Sequence, residues 1–146
     1  MPKVSIVYYS KTGNTHKLAE LVAEGCQEVS GVEVEMIRLP EFDMQAVLEA
    51  DGLAIGSPDY FSYMAGYVKT FFDEALAHKE KLSSKPYVAF GTHEGGARVL
   101  ENLERLSQAI GLKQAAPGIM CQGAPGPDDI EPSRCLGRTL ATAAAE

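Results

Sequence analysis

Apolar positions along this chain fall into two alternating patterns. Short runs of apolar residues occur at Val4 to Tyr9, Val32 to Leu39, Gly52 to Ser57, Pro86 to Gly91 and Gln114 to Cys121, and each reads as a strand. Between them the spacing turns helical. Leu18, Val22, Cys26 and Val29 share one helical face; Val68, Phe71, Phe72, Ala75 and Leu76 share another; Val99, Leu103, Leu106 and Ile110 share a third. A short helix near Met44 to Leu48 and a last one from Glu131 to about Ala144 complete the set. Strands alternating with helices predict a parallel sheet with crossover helices on its faces.

The strands differ in a way that predicts their order. A strand buried on both faces reads as a continuous apolar run, which describes the first, third and fourth. The second alternates, as Val32-Glu33-Val34-Glu35-Met36, and the fifth contains Pro117, which has no N–H for a ladder. The second and fifth are therefore predicted at the edges, giving a five-stranded parallel sheet of order 2-1-3-4-5, one of the two common doubly wound α/β folds. Ligands of such folds sit beyond the carboxyl ends of the strands, where the winding reverses. The loops after strands one, three and four thus become the candidates for chemistry.

Length and composition narrow the classes. The 146 residues suit one domain, 1–146, able to bury a core without staples, and 45% hydrophobic with 23% charged residues excludes disorder and coiled coil. No apolar stretch reaches the ~20 residues that a membrane span requires. With the first strand starting at Val4, no secretory leader is expected. Three widely spaced cysteines, Cys26, Cys121 and Cys135, form no Cys-x-x-Cys pair, and the expectation is reduced thiols in the cytoplasm. Cys121 reads as a small buried apolar residue, and no metal site is expected. The formal charge of −7 argues against nucleic acid and favours a basic protein partner.

The first strand runs into Ser10-Lys11-Thr12-Gly13-Asn14-Thr15 and then straight into an amphipathic helix. Hydroxyls and backbone N–H groups at a helix N-terminus make an anion site, and glycine permits the tight turn. Three hydroxyl residues and a glycine exceed what a helix cap alone needs. There is no G-x-x-x-x-G-K-[ST] and no G-x-G-x-x-G, so neither a nucleoside triphosphate nor a dinucleotide is the ligand read from this loop. A phospho-acceptor receiver domain, which shares the strand order, would need acidic residues after strand one, where this chain has Tyr9-Ser10.

The run Tyr8-Tyr9-Ser10-Lys11-Thr12-Gly13-Asn14-Thr15 resembles the phosphate loop of the flavodoxin family, Thr/Ser-x-Thr-Gly-x-Thr, and matches it at every defined position. The resemblance extends over the whole chain in strand and helix order, and the apparently uninterrupted fifth strand is similar to the short-chain members. It implies a three-layer flavodoxin-like fold and noncovalent FMN, its phosphate on Ser10, Thr12, Gly13, Asn14 and Thr15, with Lys11 in the same loop. It also implies an electron carrier whose reductase and acceptor proteins dock at an acidic cofactor end.

After strand three, Ser57-Pro58-Asp59-Tyr60-Phe61-Ser62-Tyr63-Met64 gathers three aromatics and a methionine, a platform for a flavin ring. Ser57, Pro58, Asp59, Tyr60 and Phe61 are the expected contacts. The stretch also resembles the Pro-Thr-x-Phe-Gly-x-Met loop of FMN-dependent quinone reductases at Pro58, Phe61 and Met64, with Asp59 in place of Thr and Ser62 in place of Gly. Flavodoxins carry a glycine here that lets a peptide turn over beside the ring. None lies between Ser57 and Ala65, and a non-glycine residue is expected to resist the positive φ involved.

After strand four, Gly91-Thr92-His93-Glu94-Gly95-Gly96 supplies Thr92, His93, Gly95 and Gly96 as contacts, the glycines letting backbone N–H groups approach the pyrimidine edge of the ring. His93 reads as a bordering side chain, and no catalytic residue is assigned. The aromatic that flavodoxins often place in this loop is missing. An open ring face would admit a substrate, which makes an NAD(P)H:quinone oxidoreductase the alternative to the carrier. Asp43, Asp59, Glu94, Asp128 and Asp129 are the acids expected around the cofactor end.

Overall fold

A computed structural model describes residues 1–146, in seven strands and six helices. In chain order they are β1 (Lys3–Tyr8), α1 (Asn14–Gln27), β2 (Glu33–Arg38), α2 (Met44–Glu49), β3 (Gly52–Tyr60), β4 (Tyr63–Met64), α3 (Gly66–Leu76), α4 (Lys79–Leu82), β5 (Pro86–His93), α5 (Val99–Ala109), β6 (Lys113–Gln114), β7 (Ile119–Gln122) and α6 (Pro127–Ala144). The sheet runs β2-β1-β3-β5, all parallel, and β6 and β7 line the far side of β5 in turn. This is the expected doubly wound order, with β5 as the fourth strand and β6 with β7 as the fifth.

Because side chains alternate across a strand, each central strand feeds two cores. Val7, Ile55 and Ala89 point into one with Val68, Phe71, Val99 and Leu103 of α3 and α5. Their neighbours Ile6, Ala54, Val88 and Phe90 point into the other with Leu18 and Val22 of α1 and Leu136 and Leu140 of α6. Each fully buried Leu, Ile or Phe contributes roughly 1.5–3 kcal/mol, so helices covering both faces stabilise a sheet whose central strands have no polar side. The edge strand β2 is the half-exposed one, as its alternation predicts. On the second face α6 comes so close to α1 that a Cβ on Gly137 would lie 2.1 Å from the Val22 carbonyl oxygen.

Several elements differ from the sequence reading. The fifth strand is not continuous: β6 and β7 are separated by Ala115 to Gly118. Pro117 cannot donate to the ladder. Glu104 Oε2 on α5 instead accepts from Gln114 Nε2 at 2.7 Å and from the Gly118 N–H at 3.0 Å. The third strand runs on past Ser57 to Tyr60 and folds back as β4, so the expected loop is an antiparallel hairpin. The last helix begins four residues early, at Pro127, where Asp129 accepts the Gly126 N–H at 2.8 Å. The four-residue α4 carried no periodic signal. No helix is long and apolar enough to cross a membrane.

Candidate functional site

The loops after β1, β3 and β5 meet at the carboxyl end of the sheet. One cavity of about 140 Å³ between them is lined by Lys11, Thr12, Asn14, Thr15, Pro58, Asp59, Tyr60, Thr92, His93 and Glu94. Larger grooves of about 340 and 490 Å³ lie along α6, lined mainly by charged and polar side chains away from these loops. Chemistry decides between them, and the smaller cavity is where the donors converge.

The loop after β1 is held from within. Gly13 has φ +102°, left-handed backbone that glycine adopts without strain. Ser10 Oγ accepts the N–H of Gly13 at 3.2 Å and of His16 at 3.1 Å, so Ser10 braces the loop from below and is itself buried. The α1 N-terminus has no side-chain cap bond from Gly13 and no acidic residue in its first turn. Ser10 takes the His16 N–H of that first turn, while the N–H groups of Asn14 and Thr15 have no side-chain partner, and an anion in the cavity would meet them. Thr15 Oγ1 lies 2.7 Å from Thr92 Oγ1, tying this loop to the end of β5. Beneath the loop, Arg38 Nη2 donates to the Ser10 carbonyl at 2.9 Å, and Tyr8 Oη lies 2.6 Å from His16 Nδ1. Burial pushes the Tyr8 phenol up, against the pull of nearby Arg38, and keeps it protonated.

The hairpin after β3 is held from outside. Tyr60 pairs with Tyr63, and the two residues between them, Phe61 and Ser62, have φ of 57° and 63°. Two positive φ values in a two-residue hairpin loop mark the type I′ geometry, which usually takes Asn-Gly. The expectation that non-glycine residues resist positive φ here is thus overturned. Each such residue costs about 1–3 kcal/mol and persists only where its surroundings fix it. Asp59 supplies part of that fixing: its Oδ1 accepts the Ser62 N–H at 2.9 Å, and its Oδ2 accepts the N–H groups of Arg98 and Val99 at 2.9 and 3.0 Å.

The third wall is the end of β5. Thr92 is buried and His93 half-buried, and His93 is the last residue of the strand rather than part of a free loop. His93 Nδ1 is buried without a hydrogen-bond partner, an orphaned polar atom at the cavity. Glu94 stands exposed at the rim, 3.4 Å from Asn14 Nδ2.

The expected residues therefore separate by position. Lys11, Thr12, Asn14, Thr15, Pro58, Asp59, Tyr60, Thr92 and His93 line the cavity. Ser10 and Ser57 lie buried beneath it, Ser57 Oγ accepting the Ala65 N–H at 2.9 Å. Gly13 shapes the turn, and Gly95 and Gly96 are exposed beyond Glu94. Phe61 is fully exposed and lies outside the lining. Of the five acids expected around this end, Asp43 caps α2 and Asp129 caps α6, so their carboxylates already serve backbone N–H groups, as does that of Asp59. The sequence reading missed two loop braces, Arg38 on the Ser10 carbonyl and Asn102, whose Nδ2 donates to the Ser62 carbonyl at 2.9 Å, and expected Glu94 around this end only as one acid among five. Nothing local to Arg38 or Asn102 announces a contact with a loop tens of residues away.

Comparison with known proteins agrees with this geometry. A family model described as flavodoxin matches residues 6–135. A flavodoxin of Aquifex aeolicus (strain VF5) is 46% identical over 76 residues, covering 52% of this chain and 41% of that protein. An NAD(P)H dehydrogenase (quinone) of Syntrophus aciditrophicus (strain SB) is 33% identical over 123 residues, covering 64% and 61%. The chain thus spans about half the length of these curated relatives. Among solved structures, an archaeal flavodoxin superposes with a TM-score of 0.91 at 23% identity over 99% of both chains. The rubredoxin:oxygen oxidoreductase of Desulfovibrio gigas gives 0.89 at 22% over 98% of this chain and 36% of that one. At those identities the structural likeness speaks for the fold alone.

Proposed function

Since the chain belongs to the flavodoxin family and its cofactor is FMN, we propose that residues 1–146 act as one FMN-binding domain that carries electrons between a reductase and an acceptor protein in the cytoplasm. The observation that carries this reading is the convergence of Lys11, Thr12, Asn14 and Thr15 on the N-terminus of α1, in one cavity with Tyr60, Thr92 and His93. The donor set fits the cofactor. Hydroxyls, an amide and a lysine surround the helix end where a phosphate would sit, and the open cavity of about 140 Å³ suits a phosphate and part of a chain, leaving the ring along the rim.

FMN supplies reversible transfer of one or two electrons; the chain's residues hold and orient it. Thr12, Asn14 and Thr15 would donate to its phosphate, with Lys11 beside them and Gly13 shaping the turn. Ser10 contributes through the backbone it braces, and Ser57 fixes the start of α3 by accepting from Ala65. Pro58, Asp59 and Tyr60, with Phe61 beyond the lining, would border the ring on one side, and Thr92 and His93, with Gly95 and Gly96 further out, on the other. The buried His93 Nδ1 is left for a polar edge to satisfy. The −7 charge favours docking of basic partner surfaces at this end.

A second reading, an NAD(P)H:quinone oxidoreductase, is favoured by the Pro58 to Met64 sequence and by quinone dehydrogenases among the relatives. Anaerobic mixing of the FMN-loaded protein with NADH or NADPH separates the two. The carrier reading expects slow oxidation of nicotinamide and fast exchange with a flavoprotein reductase. Rapid turnover with a quinone would overturn it.

A further inference from the structure

We propose that Asp59 and Asn102 form a clamp that presets the β3–β4 turn for the cofactor, Asn102 acting as a positioning residue from α5 without lining the cavity. The inference rests on the FMN reading for its functional consequence and on hydrogen bonds for its structure.

Phe61 and Ser62 occupy left-handed backbone that neither side chain favours. The Phe61 ring is fully exposed, so its own packing does not hold the turn. Both backbone polar groups of Ser62 are held instead. Its N–H donates to Asp59 Oδ1 at 2.9 Å, and its carbonyl accepts from Asn102 Nδ2 at 2.9 Å. Neither peptide flanking Ser62 can rotate without breaking one of these bonds.

The other end of the clamp is α5. This helix starts at Val99 with no side-chain cap of its own, because Arg98 occupies the cap position. Asp59 Oδ2 reaches from forty residues away to accept the N–H groups of Arg98 and Val99. One carboxylate thereby caps α5 and anchors the turn, and Asn102, on the first turn of the same helix, closes the second bond. Tyr60, a wall of the cavity, lies between Asp59 and Phe61, so its place follows from the clamp. FMN affinity should therefore depend on a helix residue that never meets the cofactor.

The test is Asn102→Ala, with Ser62 amide exchange read by NMR on the apoprotein and the FMN dissociation constant by fluorescence quenching. Exchange at Ser62 is expected to rise at least tenfold, and the dissociation constant about tenfold, with the overall fold unchanged. Adding Ser62→Gly is expected to restore affinity to within about twofold of the original, because glycine holds positive φ without the bond. A general loss of packing would not be rescued in this way. Unchanged Ser62 exchange would overturn the clamp. Raised exchange with unchanged affinity, or failure of the glycine rescue, would overturn the positioning role. Should the unmodified protein fail to bind FMN, the cofactor reading falls, and apoprotein exchange still decides the clamp.

Discussion

The loop after β1 places a glycine where its backbone turns left-handed and braces itself with Ser10, a residue of its own sequence. The hairpin after β3 places Phe61 and Ser62 in the same kind of backbone and relies on Arg98, Val99 and Asn102, some forty residues along the chain. Both border one cavity. The first conformation has its glycine and its main brace within the loop, with Arg38 and Thr92 adding one contact each from β2 and β5; the second takes its bonds from α5. A left-handed residue that is not glycine is therefore a sign of a tertiary brace, and finding the brace explains the residue.

The largest effect that would test this contrast is in the first loop. Thr12→Val removes a hydroxyl at nearly constant size, and a hydrogen bond to a charged group is worth about 1.5–3 kcal/mol. FMN should bind roughly 10- to 100-fold more weakly, with thermal unfolding of the apoprotein almost unmoved. Gly13→Ala comes next. Nothing lies within 4 Å of the added Cβ, so the whole cost is conformational. Urea unfolding of the apoprotein should show a loss of about 1–2 kcal/mol. Ser62→Gly should go the other way and stabilise the apoprotein by about 0.5–1 kcal/mol, since it relieves left-handed strain at the price of a more flexible unfolded chain. Loss of stability at Ser62→Gly would erase the contrast between the two loops.

The smallest effect is that of a probe touching neither loop. Burial pushes the Cys26 thiol up to about 12 and the Cys121 thiol up to about 11, the latter with help from Asp129. Both are protonated near neutral pH, and the thiolate is the reactive form. Cys135 is exposed. Alkylation of the folded protein at pH 7 should add one label by mass spectrometry, against three after denaturation, and should leave FMN binding intact. Rapid labelling of Cys121 would show that the end of the sheet opens.

The same contrast explains how much the sequence reveals. The continuous central strands, the helical faces and the edge placement of the alternating β2 were legible because burial on both faces or on one writes itself into hydrophobic pattern. The loop after β1 was legible because its glycine and hydroxyls are adjacent in sequence. The hairpin was not: Phe61-Ser62 carries no turn signal, and the bonds that hold Ser62 come from Asp59 and from Asn102, forty residues further along the chain. The interruption of the fifth strand was half legible. Pro117 marked an edge, but the substitute partner, Glu104 on α5, could not be read from a neighbouring residue. The early start of α6 followed from Asp129 reaching back to Gly126, a local bond that periodicity alone does not show.

The most direct test of the account is a titration of FMN fluorescence with the apoprotein, run beside the Thr12→Val variant. The account predicts quenching that saturates at one FMN per chain, with a perturbed visible spectrum, and a weaker curve for Thr12→Val. Fluorescence and absorption identical to those of free FMN, or identical curves for the two proteins, would contradict the placing of the phosphate in the loop from Ser10 to Thr15.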